Sequence, residues 1–146
     1  MGDRRPVTDP RTGMPAYLFV EARLDEEYAA ARDLTESEAA AAEWYEMTSG
    51  VLVTGPPTAD DTWDGTFAIG DSRITRFIAG HDPARVLREV AAKRAITARY
   101  REILNLRKIQ RGDLAAAGAL LVLSDVVEAL ASAWSDHPDY DPKWTL

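Results

Sequence analysis

The sequence predicts an α+β protein, mostly helical, with three longer helices, one short helix and a small antiparallel hairpin or three-stranded sheet. Three observations predict it. Apolar residues recur at three- and four-residue spacing across 17–31, 86–104 and 120–134, the period of amphipathic helices. Between the first two stretches lies 44–54, rich in Val, Thr and aromatic residues and divided by Ser49-Gly50. Helix-start chemistry stands at Asp71, Asp82-Pro83 and Asp113.

In the first helix Tyr17, Val20, Leu24, Tyr28 and Ala31 mark an apolar stripe, while Glu21, Asp25, Glu26 and Arg32 fill other faces. Thr35-x-x-Glu38 has the form of a capping box. The helix either breaks near Leu34 and restarts into the Ala-rich 39–42 or runs on as one rod. Ser49-Gly50 predicts a two-residue turn joining strands at 44–48 and 51–54. Gly55-Pro56-Pro57 ends that hairpin, 58–65 reads as an acidic loop, and 66–69 supplies a third short strand. So small a sheet needs helices to pack against.

Asp71 is placed to cap a short helix bearing Ile74, Phe77 and Ile78, with Gly80 at its end. Asp82 caps the next, and Pro83 takes the first helical position, where its missing N–H costs nothing. That helix is expected to run to about Gln110, a length of roughly 42 Å. Gly112-Asp113 supplies a stop and a new cap. The last helix carries Leu120, Leu123, Val127, Leu130 and Trp134 in register, with Val122, Val126, Ala129 and Ala133 beside them and only Asp125, Glu128 and Ser132 as a polar side. So wide an apolar surface predicts either the central core helix or one whose second face another subunit covers. Pro138 and Pro142 forbid its continuation and predict an extended tail over 135–146, pinned by Tyr140 and Trp144.

A chain of 146 residues suits a single domain, 1–146, with 1–15 as an N-terminal extension. It has no Cys, which removes thiolate metal sites and cysteine nucleophiles. The net charge of -7 argues against a dominant nucleic-acid surface. The charge is segregated: 12–71 sums to -11 and 72–111 to +8. The ordinary reading is mutual screening within the fold. The functional reading is an anion or partner site on the basic helix, where Arg94, Arg101 and Lys108 are seven apart and form one row while Arg85, Arg88 and Arg99 lie on another face. Basic residues spread round a helix cannot all reach the same phosphates, so nucleic acid is not the favoured partner. Neither a leader nor a lipidation motif is legible near the N-terminus, and Asp125 and Glu128 interrupt the longest apolar stretch. The expectation is a cytoplasmic protein with no membrane partner.

Catalytic signatures are missing: the sequence has no phosphate-binding glycine loop, nucleophile elbow, or helical pair of histidines or glutamates. His81 and His137, with Asp82, Asp136, Asp139 and Asp141, offer imidazole and carboxylate ligands in principle. Asp82 is already accounted for as a cap, and the tail aspartates alternate with prolines as turn residues do. No metal, no cofactor and no catalytic residue is therefore expected, and enzyme is the lesser reading.

The string His81-Asp82-Pro83-Ala84-Arg85-Val86-Leu87-Arg88-Glu89-Val90 with Lys93-Arg94, and the tail Asp136-His137-Pro138-Asp139-Tyr140 with Trp144, resemble a family of small actinobacterial and actinobacteriophage proteins known only as a domain of unknown function. Glu21-Ala22-Arg23-Leu24-Asp25-Glu26 and the isolated Trp44 are similar to the same family's first helix and strand entry. The resemblance implies no activity. It implies a cysteine near the last helix and a glycine-proline before the tryptophan in many members; this chain has neither, so a zinc role built on such cysteines does not extend to it. The functional expectation is a non-enzymatic protein-interaction or accessory protein, binding a protein partner or itself. The alternatives are nucleic-acid or anion binding through 83–111, and a virion or assembly component.

Overall fold

A computed structural model describes residues 13–36, 43–47, 50–55 and 65–145. The elements follow in the order α1 (Ala16–Glu36), β1 (Trp44–Glu46), β2 (Val51–Thr54), β3 (Gly65–Ala68), α2 (Ser72–Ala79), α3 (Pro83–Ile109) and α4 (Leu114–Ala131), with 3-10 turns at Ser132–Trp134 and Pro142–Trp144. The architecture is α+β and mostly helical, with four helices and a three-stranded antiparallel sheet among the described residues. Two compact units divide the chain. One is Leu24–Ala92; the other joins the described part of Met1–Arg23 to Lys93–Leu146, so the division falls within α1 and α3.

The unit of Leu24–Ala92 is built on a meander of order β1-β2-β3. Trp44 pairs with Thr54 and Glu46 with Leu52; Val51 pairs with Ala68 and Thr54 with Gly65. Gly50 makes the turn into β2, with φ +86. A Cβ there would lie 2.7 Å from the backbone of Gly70, whose N–H and that of Ile69 both donate to the Gly50 carbonyl. Left-handed backbone and close chain approach together admit only glycine. α2 packs on β1 and β2, and Arg76 bridges to Glu46 at 3.1 Å. Among its described residues the unit buries the side chains of Leu24, Ala31, Leu52, Val53, Thr54, Thr75, Pro83 and Val90.

Helix starts follow the predicted capping chemistry. Asp71 accepts from Arg73 N–H at 2.8 Å, Asp82 from Arg85 N–H at 2.7 Å and Asp113 from Ala116 N–H at 3.0 Å. α1 runs through Leu34 and Thr35 to Glu36, and the Thr35 hydroxyl donates to the Arg32 carbonyl one turn back; a restart over 39–42 lies outside the described residues. Glu38, the other half of that capping box, lies outside the described residues, as do Ser49 and the acidic loop. Ile74 and Phe77 of α2 are both exposed, and Phe77 stacks on His81 with ring centroids 4.2 Å apart.

In the second unit the segment after α4 gathers its rings round one side chain of α1, that of Phe19. Its centroid lies 5.1 Å from Trp144, 5.6 Å from His137, 6.1 Å from Tyr140 and 6.5 Å from Trp134, mostly edge to face. The tail is not extended as the prolines suggested. Asp141 accepts from Lys143 N–H, Pro142 occupies the first position of a 3-10 turn, and the N–H groups of His137, Tyr140 and Trp144 each close a turn. Proline's fixed φ suits such turns as well as it suits extended chain. Trp144 is buried and Tyr140 half-buried, and these two residues hold the tail.

Candidate functional site

The row Arg94, Arg101, Lys108 lies on α3 within the second unit. Arg101 donates to Glu21 of α1 at 2.5 Å and sits 5.7 Å above the Tyr17 ring, whose other neighbour is Tyr100 at 5.2 Å. Arg94 is half-buried and engaged within the fold, while Arg101, though paired, and Lys108 are both exposed. The middle of the row thus serves to join α1 to α3. At the end of α3, Arg107 reaches the carbonyls of Arg111 and Asp113, both at 3.4 Å, bracing the turn into α4.

α4 has two unlike sides. Ala116, Val127 and Ala131 are buried, and Leu120 and Leu123 are half-buried beside them. The opposite side carries Leu114, Leu121 and Val122, which are 85%, 71% and 64% exposed, together with Val126, Ala115, Gly118 and Asp125. α4 is therefore not the central core helix, one of the two readings its composition allowed. Its second face is apolar and open among the described residues. By length and composition alone, Leu114–Trp134 is also apolar enough to cross a membrane.

A cavity of about 220 Å³ opens between the start of α1 and α4, lined by Tyr17, Tyr100, Ser124, Glu128 and Trp144. The Ser124 hydroxyl donates to the Leu120 carbonyl. In the other unit a larger apolar hollow of about 400 Å³ is lined by Leu34, Trp44, Leu52, Phe67, Ile69 and Ile78.

A model of a family of unknown function, DUF6221, matches residues 14–146. The chain belongs to that family. Comparison with curated proteins and with solved structures returns no match. The family match spans both units and includes α4, the row on α3 and the tail.

The two histidines lie in different units. His81 Nδ1 meets the Phe77 carbonyl at 2.7 Å; His137 meets Arg23 through Nε2 and takes the Asp139 N–H on Nδ1 at 3.0 Å. No group of three His, Asp or Glu able to hold a metal ion occurs among the described residues. Two carboxyl-linked shifts mark the sheet unit. The Glu43 carboxylate accepting from the Tyr45 hydroxyl at 2.7 Å raises that phenol's pKa, and the Arg73 guanidinium beside Asp71 lowers the Asp71 carboxyl. What sequence reasoning missed is the pairing of Arg101 with Glu21 and of Arg23 with His137, because residues 80 and 114 apart share no local signal.

Proposed function

We propose that the chain is a non-enzymatic interaction protein, a cytoplasmic accessory factor of actinobacterial or phage origin, and that it binds protein through the outward face of α4. The observation that carries the reading is that face: three large aliphatic side chains more than three-fifths exposed on one side of a helix whose other side is buried. Contiguous exposed apolar surface on a folded chain marks interaction sites. Asp125 within it suits a partner that supplies a cation better than it suits hydrocarbon. Nucleic-acid or anion binding through Arg94, Arg101 and Lys108 is the weaker reading, because Arg101 is already paired with Glu21. The origin rests on the resemblance of the His81 to Arg94 string and the tail.

The test is a photo-activatable phenylalanine analogue placed at Leu121, with irradiation of cells producing the chain. Discrete protein adducts, lost when the probe is moved to exposed Arg88 on α3, are expected. A chain that forms no adduct from position 121 would count against the reading.

A further inference from the structure

We propose that the protein seated on α4 is a second copy of this chain, packed antiparallel about a two-fold axis at Gly118; this rests on the interaction reading above. On a helical projection Leu114, Gly118, Leu121, Val122 and Asp125 all fall within about 60° of one line, with buried Val127 diametrically opposite. The face is thus a narrow seam, the shape that one helix lays against another. An isologous contact requires this surface to complement itself.

Antiparallel pairing about Gly118 meets that requirement. Leu114 and Val122 lie four residues to either side of Gly118, about 6 Å along the axis each way, so Leu114 of one copy falls beside Val122 of the other. Ala115 falls beside Leu121 in the same way. At the crossing stands Gly118, where an added Cβ would meet nothing within 4 Å in the single chain. Its missing side chain lets two backbones approach closely without costing internal packing.

Charge fixes the direction. Asp125 is exposed amid the seam, and neither it nor Arg111 has an ion-pair partner among the described residues. Seven residues beyond Gly118, Asp125 of one copy lies alongside the turn that opens α4 of the other, which holds Arg111 and the amino-terminal, partially positive end of the helix. Asp113 in that turn is already committed to the Ala116 N–H. A parallel pair would set Asp125 against Asp125. A lipid surface offers no such match: hydrocarbon would leave Asp125 unpaired, and anionic headgroups repel a chain of net charge -7. Eighteen residues of helix form a contact at the small end of specific interfaces, below ~1,200 Å², so the dimer is concentration-dependent.

Sedimentation velocity of the full chain, from roughly micromolar to roughly millimolar protein, reads the association directly. The expected result is a monomer that converts to a dimer with rising concentration. Asp125→Arg and Arg111→Asp alone should each weaken it by about tenfold, and the two together should restore it to within about threefold. Gly118→Gln should abolish dimerisation while its circular-dichroism melt shows an intact or more stable monomer, because the position is open and Gln is the better helix former. A chain monomeric at every concentration, or a dimer whose doubly swapped variant is not restored, overturns the proposal. A monomer that instead co-sediments with phosphatidylcholine vesicles would assign a lipid to the face. A monomer still cross-linked to another protein from position 121 would assign a different partner, leaving the interaction reading standing and the second copy refuted.

Discussion

Asp113→Ala removes the carboxylate that holds the Ala116 N–H and leaves a donor at the first turn of α4 unmet. Urea unfolding should show a loss of about 1 kcal/mol, with Asp113→Asn losing little. Tyr45 gives a prediction of a different kind. Its hydroxyl donates to Glu43, and the neighbouring carboxylate opposes a second negative charge, so the folded phenol's pKa stands above its ordinary value. The fold therefore favours the protonated phenol. That contribution is fully present below the unfolded pKa of about 10 and is lost as pH rises through the folded value. Carbon-13 NMR of labelled tyrosine should find Tyr45 titrating later than an unperturbed tyrosine, and Glu43→Gln should move it back toward the ordinary value. Both residues were partly legible in the sequence: Asp113 as a cap after Gly112, Tyr45 only as a strand residue, because its partner two positions away has no repeating signature.

At the scale of elements, α3, the hairpin, α2 and α4 stand where capping residues and apolar spacing placed them, since each start is a local event involving three or four consecutive residues. The faces were less legible. Periodicity gives the direction of a stripe and not what lies across from it: Ile74 and Phe77, two of the apolar residues of α2, are exposed. The same limit applied to α4, whose apolar residues all round its circumference suited a central helix and a two-sided one equally. Proline was over-read in the tail, where Pro142 opens a 3-10 turn. The tail and α1 meet at Phe19, fully buried among four aromatic rings. Phe19→Ala should cost about 3–5 kcal/mol in chemical denaturation, and Phe19→Leu much less.

For the whole molecule, charge and length were legible at once, and the division into two compact units was not. The boundary lies inside α1 and α3, with no glycine- or proline-rich linker to announce it. Helix propagation is cooperative, and each of these helices contributes residues to both units. Unfolding in urea should therefore be a single transition. Trp44 reports on one unit and Trp134 with Trp144 on the other; variants retaining tryptophan only at 44, or only at 134 and 144, should give midpoints that coincide with each other and with the far-ultraviolet circular-dichroism transition. Two separated midpoints would mean that the units melt independently. The candidate site followed the same pattern. The row Arg94, Arg101, Lys108 was visible as spacing, but the Glu21 carboxylate that occupies Arg101 belongs to a helix 80 residues earlier in the chain.

The rings around Phe19 bear on the order in which the chain is made. All of Leu24–Ala92 is contiguous, so that unit has its full complement of residues by the time Ala92 is synthesised. Phe19 is made earlier still, yet its ring partners begin at Trp134. At ribosomal speeds the interval is on the order of ten seconds. During that time a ring that is fully buried in the finished protein stands in water, and any chaperone attending its biogenesis would find its substrate there.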